Sequence, residues 1–305
     1  MPRQPFLLIV AACLVSTSKA DDQAVSRGRA YSFLATGKRT FIREFGPTFP
    51  ANGQITWRFD HPTRDGFVLS DGSVLLAVAQ SRQYTKGAVI RVSRTNQTLF
   101  VFHGTQHGIE SVRPLPDNRI LIAEAGRNPR LLELTSEGQI SLEIPLKAQI
   151  RYPHLQLSSI RKLPNGNYLV SQPFENLVRE YDRNGKVAWE IKTPARPHAA
   201  IRLPSGNTLI SCSTGHIVLE VDRGGKPTRE LTNFHLPDNL LRDVRGLQQL
   251  ADGKLLLSSY QAGVSSPKLF VVNQKNWLTW TYTDTSPHGI HNVHAYTQQS
   301  NPNDE

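Results

Sequence analysis

The chain has 305 residues, 38% of them hydrophobic, with two cysteines and a formal net charge of +10. That length and apolar share support a sizeable core and exclude a disordered chain or a disulfide framework. The positive balance suits acidic partners, yet no basic run with interleaved aromatics appears, which argues against nucleic acid.

The first twenty residues, MPRQPFLLIVAACLVSTSKA, have the layout of an export leader. Arg3 opens it, an apolar run from Phe6 to Val15 follows, and Ser18 and Ala20 sit at −3 and −1 of a cut before Asp21. The run is too short to span a bilayer, and no later run approaches the roughly 20 residues a spanning helix needs. The mature chain is expected to be periplasmic or extracellular, with no transmembrane segment. Cys13 lies in the leader. Cys212, inside the strand-like NTLISCSTG, reads as a small buried residue rather than a nucleophile.

Beyond the leader the chain repeats itself. LPNGNYLV at 163–170 returns as LPSGNTLI at 203–210. The turn pairs Asp71-Gly72, Asp117-Asn118, Asn165-Gly166, Ser205-Gly206 and Asp252-Gly253 recur at intervals of 46, 48, 40 and 47 residues. Each stands between apolar, β-rich runs, so each predicts a hairpin, because its central residues tolerate positive φ, and Gly166 and Gly206 are expected to need it. A second hairpin follows in each unit, clearest in VREYDRNGKVAWEI at 178–191. Four antiparallel strands every 40–45 residues predict a propeller blade, which buries both faces only by stacking on its neighbours.

The ends set the blade count. Residues 30–59 match the last three strands of a blade, and GIHNVHAY at 289–296 matches a first strand. The fold class expected is therefore all-β: a six-bladed β-propeller of four-stranded antiparallel blades, its ring closed by the C-terminal strand. It forms one domain over 21–297, with a tail at 298–305. No long amphipathic helix is expected; HLPDNLLRDVRG at 235–246 has room for one short helical turn.

IRKLPNGNYLVSQPFENLVREYDRNGKVAWEI resembles the repeats of bacterial arylsulfotransferase-like and quinoprotein-like (PQQ) propellers. The resemblance covers most of residues 30–296. It implies the fold and, as an alternative to a binding role, an enzyme: group transfer through a channel histidine, or quinone-dependent oxidation. The tryptophan-docking pattern of the quinoproteins is clear at Gly185–Trp189 and partial at Gly53–Trp57.

The chemistry gathers in one class of loop. Of ten histidines, His61, His107, His154, His198, His235, His288 and His291 fall before or at the first strand of a blade, on the rim around the central channel. His103 and His294 lie nearby on strands, and His216 is expected elsewhere. Aligning the first strands stacks Arg64, Glu110, Ser158, His198, Arg245 and His291 into a polar ring. Two arginines in such a ring could hold a sulfate or carboxylate, and His198 or His291 could move a proton near neutral pH. The ligand-binding set expected is Arg64, His107, Glu110, His154, His198, Arg245, His288 and His291, with His198 and His291 the catalytic candidates. No metal site is assigned and no cofactor is required, although PQQ, or a metal shared by His107, His198 and His291, stays open. The expected role is that of an exported, monomeric binding protein for an anionic small molecule, polysaccharide or protein partner.

Overall fold

The computed structural model describes residues 25–28, 30–149 and 151–296. The expected leader and the tail at 298–305 lie outside the described residues. Among the described residues, twenty-five strands form six antiparallel sheets, the six blades. Blade 1 takes β25 (Asn292–Ala295), β2 (Phe33–Thr36), β3 (Thr40–Glu44) and β4 (Gln54–Phe59). Blade 2 is β5 (Thr63–Val68), β6 (Val74–Val78), β7 (Ala88–Val92) and β8 (Thr98–His103). Blade 3 is β9 (Gly108–Pro114), β10 (Ile120–Ala125), β11 (Arg130–Leu134) and β12 (Ile140–Pro145). Blade 4 is β13 (Ile160–Lys162), β14 (Tyr168–Gln172), β15 (Leu177–Tyr181) and β16 (Val187–Lys192). Blade 5 is β17 (Pro197–Arg202), β18 (Thr208–Cys212), β19 (Ile217–Val221) and β20 (Pro227–Thr232). Blade 6 is β21 (Val244–Gln249), β22 (Leu255–Ser259), β23 (Pro267–Val272) and β24 (Leu278–Thr283), with β1 (Val25–Gly28) as a fifth strand.

The burial of each strand follows from its place in the stack. Second strands such as β6, VLLAV, and β22, LLLSS, are buried at every position because blades cover both their faces. Fourth strands alternate, as in β16, VAWEIK, because the blades splay apart toward the outside. Six apolar clusters result, one between each pair of neighbouring blades. Adjacent residues serve opposite interfaces: Leu209 packs against blade 6, Ile210 against blade 4. Trp189 docks blade 4 on blade 5, its indole N–H donating to the Arg223 carbonyl at 2.9 Å, with the Arg202 guanidinium 4.3 Å above the ring.

Ring closure is as the ends predict. β25 pairs with β2 in the register Phe33↔Ala295, Ala35↔Val293, Thr36↔Asn292. β1 is an addition that the repeat did not foretell: it runs antiparallel to β24 and caps the outer edge of blade 6.

The glycine hairpins take the expected conformation in a specific form. Gly166 and Gly206 have the expected positive φ, 84° and 90°, but Asn165 and Ser205 do not share it. The Gly166 N–H donates to the Leu163 carbonyl at 2.9 Å, and the Leu163 N–H to the Asn167 carbonyl at 2.7 Å. This is a type I turn closed by a left-handed glycine, which explains the whole LPNGN word. Pro164 sets the first turn angle, and the Asn165 side chain accepts from the Asn167 N–H at 3.0 Å. Among the five turn pairs read from the sequence, both residues are left-handed at Asp117 and Asn118, φ 62° and 56°, where no glycine stands.

Candidate functional site

In each blade the loop that enters the first strand and the loop from second to third strand lie on one rim, and the tight turns lie on the other. His216 belongs to the first rim, against expectation: it ends a second-to-third loop, and its Nδ1 meets the Leu241 carbonyl at 2.9 Å in the loop entering blade 6. It pins one loop to the next.

At the channel mouth the aligned ring comes together. His198 from blade 5 and His291 from blade 1 reach past blade 6 to touch edge to face, ring centres 4.8 Å apart. Tyr260 stands against His291 at 5.5 Å, and the Arg245 guanidinium lies 3.8 Å over the Tyr260 ring. Asp243 holds Arg245 by a fork of two 3.1 Å bonds to Nε and Nη2. On the other side Arg64 Nε lies 3.7 Å from Glu110 Oε2, an ion pair but too long for a hydrogen bond. Ser158 instead turns to the backbone, its hydroxyl donating to the His198 carbonyl at 2.6 Å.

The protonation states follow from this packing. His291 Nδ1 lies 2.8 Å from the Arg64 carbonyl. A carbonyl only accepts, so Nδ1 carries the proton and Nε2 is left as the acceptor of a neutral ring. Burial holds His291 well below the usual imidazole range, helped by His198, Arg245 and Arg64. Burial does the same to His198, followed by the charges of Arg245 and Arg64. His198 Nδ1 is buried with no hydrogen-bond partner. Burial pushes the Glu110 carboxyl up to about 7, opposed by Arg64. The mouth thus holds two guanidinium groups, two neutral imidazoles and a carboxyl poised near neutrality.

The remaining predicted residues divide. His154 is exposed at the same mouth and is held below its ordinary value, first by partial burial, then by Arg64, His107 and Arg196. His107 is exposed on a loop anchored by buried Glu124, which accepts from the Gln106 N–H and the Thr105 hydroxyl and pairs with Arg130. His288 stands apart from the cluster. Its slight burial, then the charges of Lys38, Arg39 and Lys268, keep it below the ordinary value. Among the described residues no three His, Cys, Asp or Glu side chains converge as metal ligands, and so His107 does not join His198 and His291 in one. Cys212 is buried, its thiol pushed up to about 12 by burial, which leaves it inert.

Tyr260, and Asp243 as the partner that holds the predicted Arg245, escaped the sequence reading as parts of this site. Asp243 and Arg245 are two apart at the start of one strand, and so share a face, which is a legible signal. Tyr260 follows β22 in a loop whose approach to the channel only the closed ring decides.

No protein-family model matches the chain, and no curated protein does. Solved structures match its fold. A Bacteroides caccae protein of unknown function is 19% identical, covering 87% of this chain and 99% of that one with a TM-score of 0.72. Virginiamycin B lyase from Staphylococcus aureus is 14% identical over 91% of this chain and 96% of that one, TM-score 0.56. A catalytically inactive histidine-to-alanine variant of that lyase, with quinupristin, is 14% identical over 86% and 88%, TM-score 0.55. Likeness at this level is likeness of fold. The resemblance to arylsulfotransferase-like and quinoprotein-like repeats likewise stands as one of blade architecture.

Proposed function

We propose that the chain is an exported propeller binding protein that takes an anionic ligand at its channel mouth. The observation that carries this reading is the unused hydrogen-bonding capacity beside two partly exposed guanidinium groups. Arg64 is ion-paired with Glu110 without a hydrogen bond, Asp243 leaves Nη1 of Arg245, and His198 Nδ1 is buried without a partner. An oxyanion between the two guanidinium groups would use their free N–H donors, and His198 Nδ1 once that ring is protonated; charge-assisted bonds of this kind are the strong ones. It would also raise the pKa of both imidazoles, so that binding takes up protons. Glu110 competes for Arg64 while ionised, so affinity rises as pH falls through about 7, the value of that carboxyl.

The test is calorimetric titration of sulfate, an aryl sulfate and a uronic-acid oligosaccharide into the wild type and an Arg64→Ala/Arg245→Ala variant. One of the three binding at least tenfold more tightly to the wild type supports the site. Equal, weak binding of all three to both proteins removes it.

One observation favours an acid–base enzyme as the second reading. A carboxyl near 7 beside neutral imidazoles is the pairing that proton transfer at neutral pH requires. Among the fold neighbours, virginiamycin B lyase has a catalytically inactive histidine-to-alanine variant. Turnover of a bound ligand that vanishes in His291→Ala and in Glu110→Gln would establish this reading over simple binding.

A further inference from the structure

The fourth strand of each blade presents an outer edge, and exposed edges invite pairing with other strands. Most of these edges carry a deterrent. β4 has Arg58, β12 has Glu143 and Pro145, β16 has Glu190 and Lys192, and β20 has Pro227, Arg229 and Glu230. Two outer strands contain neither charge nor proline: β24, LTWTYT, and β8, TLFVFH. β24 is covered within the chain, where β1 pairs along it from Val25↔Thr283 to Gly28↔Trp280. Among the described residues nothing pairs with the outer edge of β8.

The faces of β8 sharpen the contrast. Phe100 and Phe102 turn into the apolar cluster shared with blade 3. Leu99 and Val101, on the other face, are 48% and 38% exposed. A strand that seats here has to be extended, uncharged and itself free at one edge. Of the described outer strands of this chain only β8 is all three, since β25, uncharged and also paired on one side only, is an innermost strand facing the channel; two copies of one strand paired antiparallel close on a two-fold axis.

We propose that β8 pairs with β8 of a second copy, so that the chain is a dimer in place of the monomer expected from its sequence. Pairing satisfies the free backbone groups of both strands and sets the Leu99 and Val101 pairs side by side across the joint. One strand pair buries less than a standard stable interface, so the dimer is concentration-dependent.

Sedimentation of the full chain over a concentration series tests this. The expected result is a reversible shift toward twice the chain mass. In a Leu99→Lys/Val101→Lys variant with an unchanged melting temperature, the shift disappears. An Ile140→Lys variant, altered at an equally exposed site on the adjacent outer strand β12, keeps it. A wild type that stays at the mass of one chain throughout overturns the proposal, and so does a dimer that persists in the double variant. Because Arg64 and Arg245 lie at the channel mouth, neither outcome bears on anion binding.

Discussion

Burial raises the Glu110 carboxyl from an ordinary 4.5 to about 7 in the folded chain. A carboxyl that binds its proton more tightly when folded stabilises the fold below the unfolded value and loses that contribution as pH rises through the folded one. The window is therefore about 4.5 to 7, and a shift of this size corresponds to about 3 kcal/mol. The buried histidines work the other way. Their folded values lie well below 6.5, so stability is intact above 6.5 and declines as the unfolded rings protonate below it. In Glu110→Gln the carboxyl contribution is gone while the histidines remain. Urea unfolding of both proteins at several pH values should show the variant gaining on the wild type as pH rises through the window. A difference that does not vary with pH excludes the raised carboxyl.

Glycine turns give a second prediction at this scale. A Cβ on Gly166 meets nothing within 4 Å, so Gly166→Ala incurs only the cost of the left-handed conformation, about 1–2 kcal/mol. A Cβ on Gly185 would also stand 2.7 Å from the Pro145 carbonyl oxygen of the preceding blade. Gly185→Ala should therefore cost more than Gly166→Ala in denaturant melts, although both sit in glycine turns of blade 4.

β25 carries the closure of the ring. Its four residues pair with β2, and Ile290, Val293 and Ala295 belong to the apolar cluster between blades 6 and 1. A chain ending at Pro287 loses the strand, opens the β2 edge and uncovers Phe33 and Ala35. The expected outcome is a lower melting temperature and aggregation, read by scanning calorimetry and light scattering. Melting like the full chain would mean that blade 1 holds with three strands. β1 makes the comparison informative, because it caps an outer edge that the other blades leave uncapped, and so contributes less to closure.

The molecule as a whole carries +10, and two of those charges, Arg3 and Lys19, lie in the expected leader. Long-range attraction of an anion by that surface is screened by salt within about 10 Å at 0.1 M, while contacts made inside the mouth are screened far less. Raising salt should therefore slow association while leaving most of the affinity, as measured by stopped-flow and equilibrium titration. Affinity that collapses with salt would place the anion on the outer surface instead of at Arg64 and Arg245.

The sequence by itself determined the architecture. Period-two burial, turn words such as LPNGN and the complementary end fragments are local signals repeated along the chain, and repetition makes them legible. It also determined that Arg64, Glu110, His198, Arg245 and His291 share one level, because each holds the same place in its blade. Tertiary structure decided what that level does chemically. Whether His198 touches His291, whether Arg64 hydrogen-bonds Glu110, and whether Tyr260 sits beneath Arg245 depend on how residues from different blades meet across the channel. Those meetings fix burial, and burial moves Glu110 and the two histidines to opposite sides of their ordinary values. It also decided that His288, three residues from His291 in the same connection, has Lys38, Arg39 and Lys268 as its charged neighbours instead of the ring. A strand pattern records which side a residue faces; only the closed ring sets what stands opposite it.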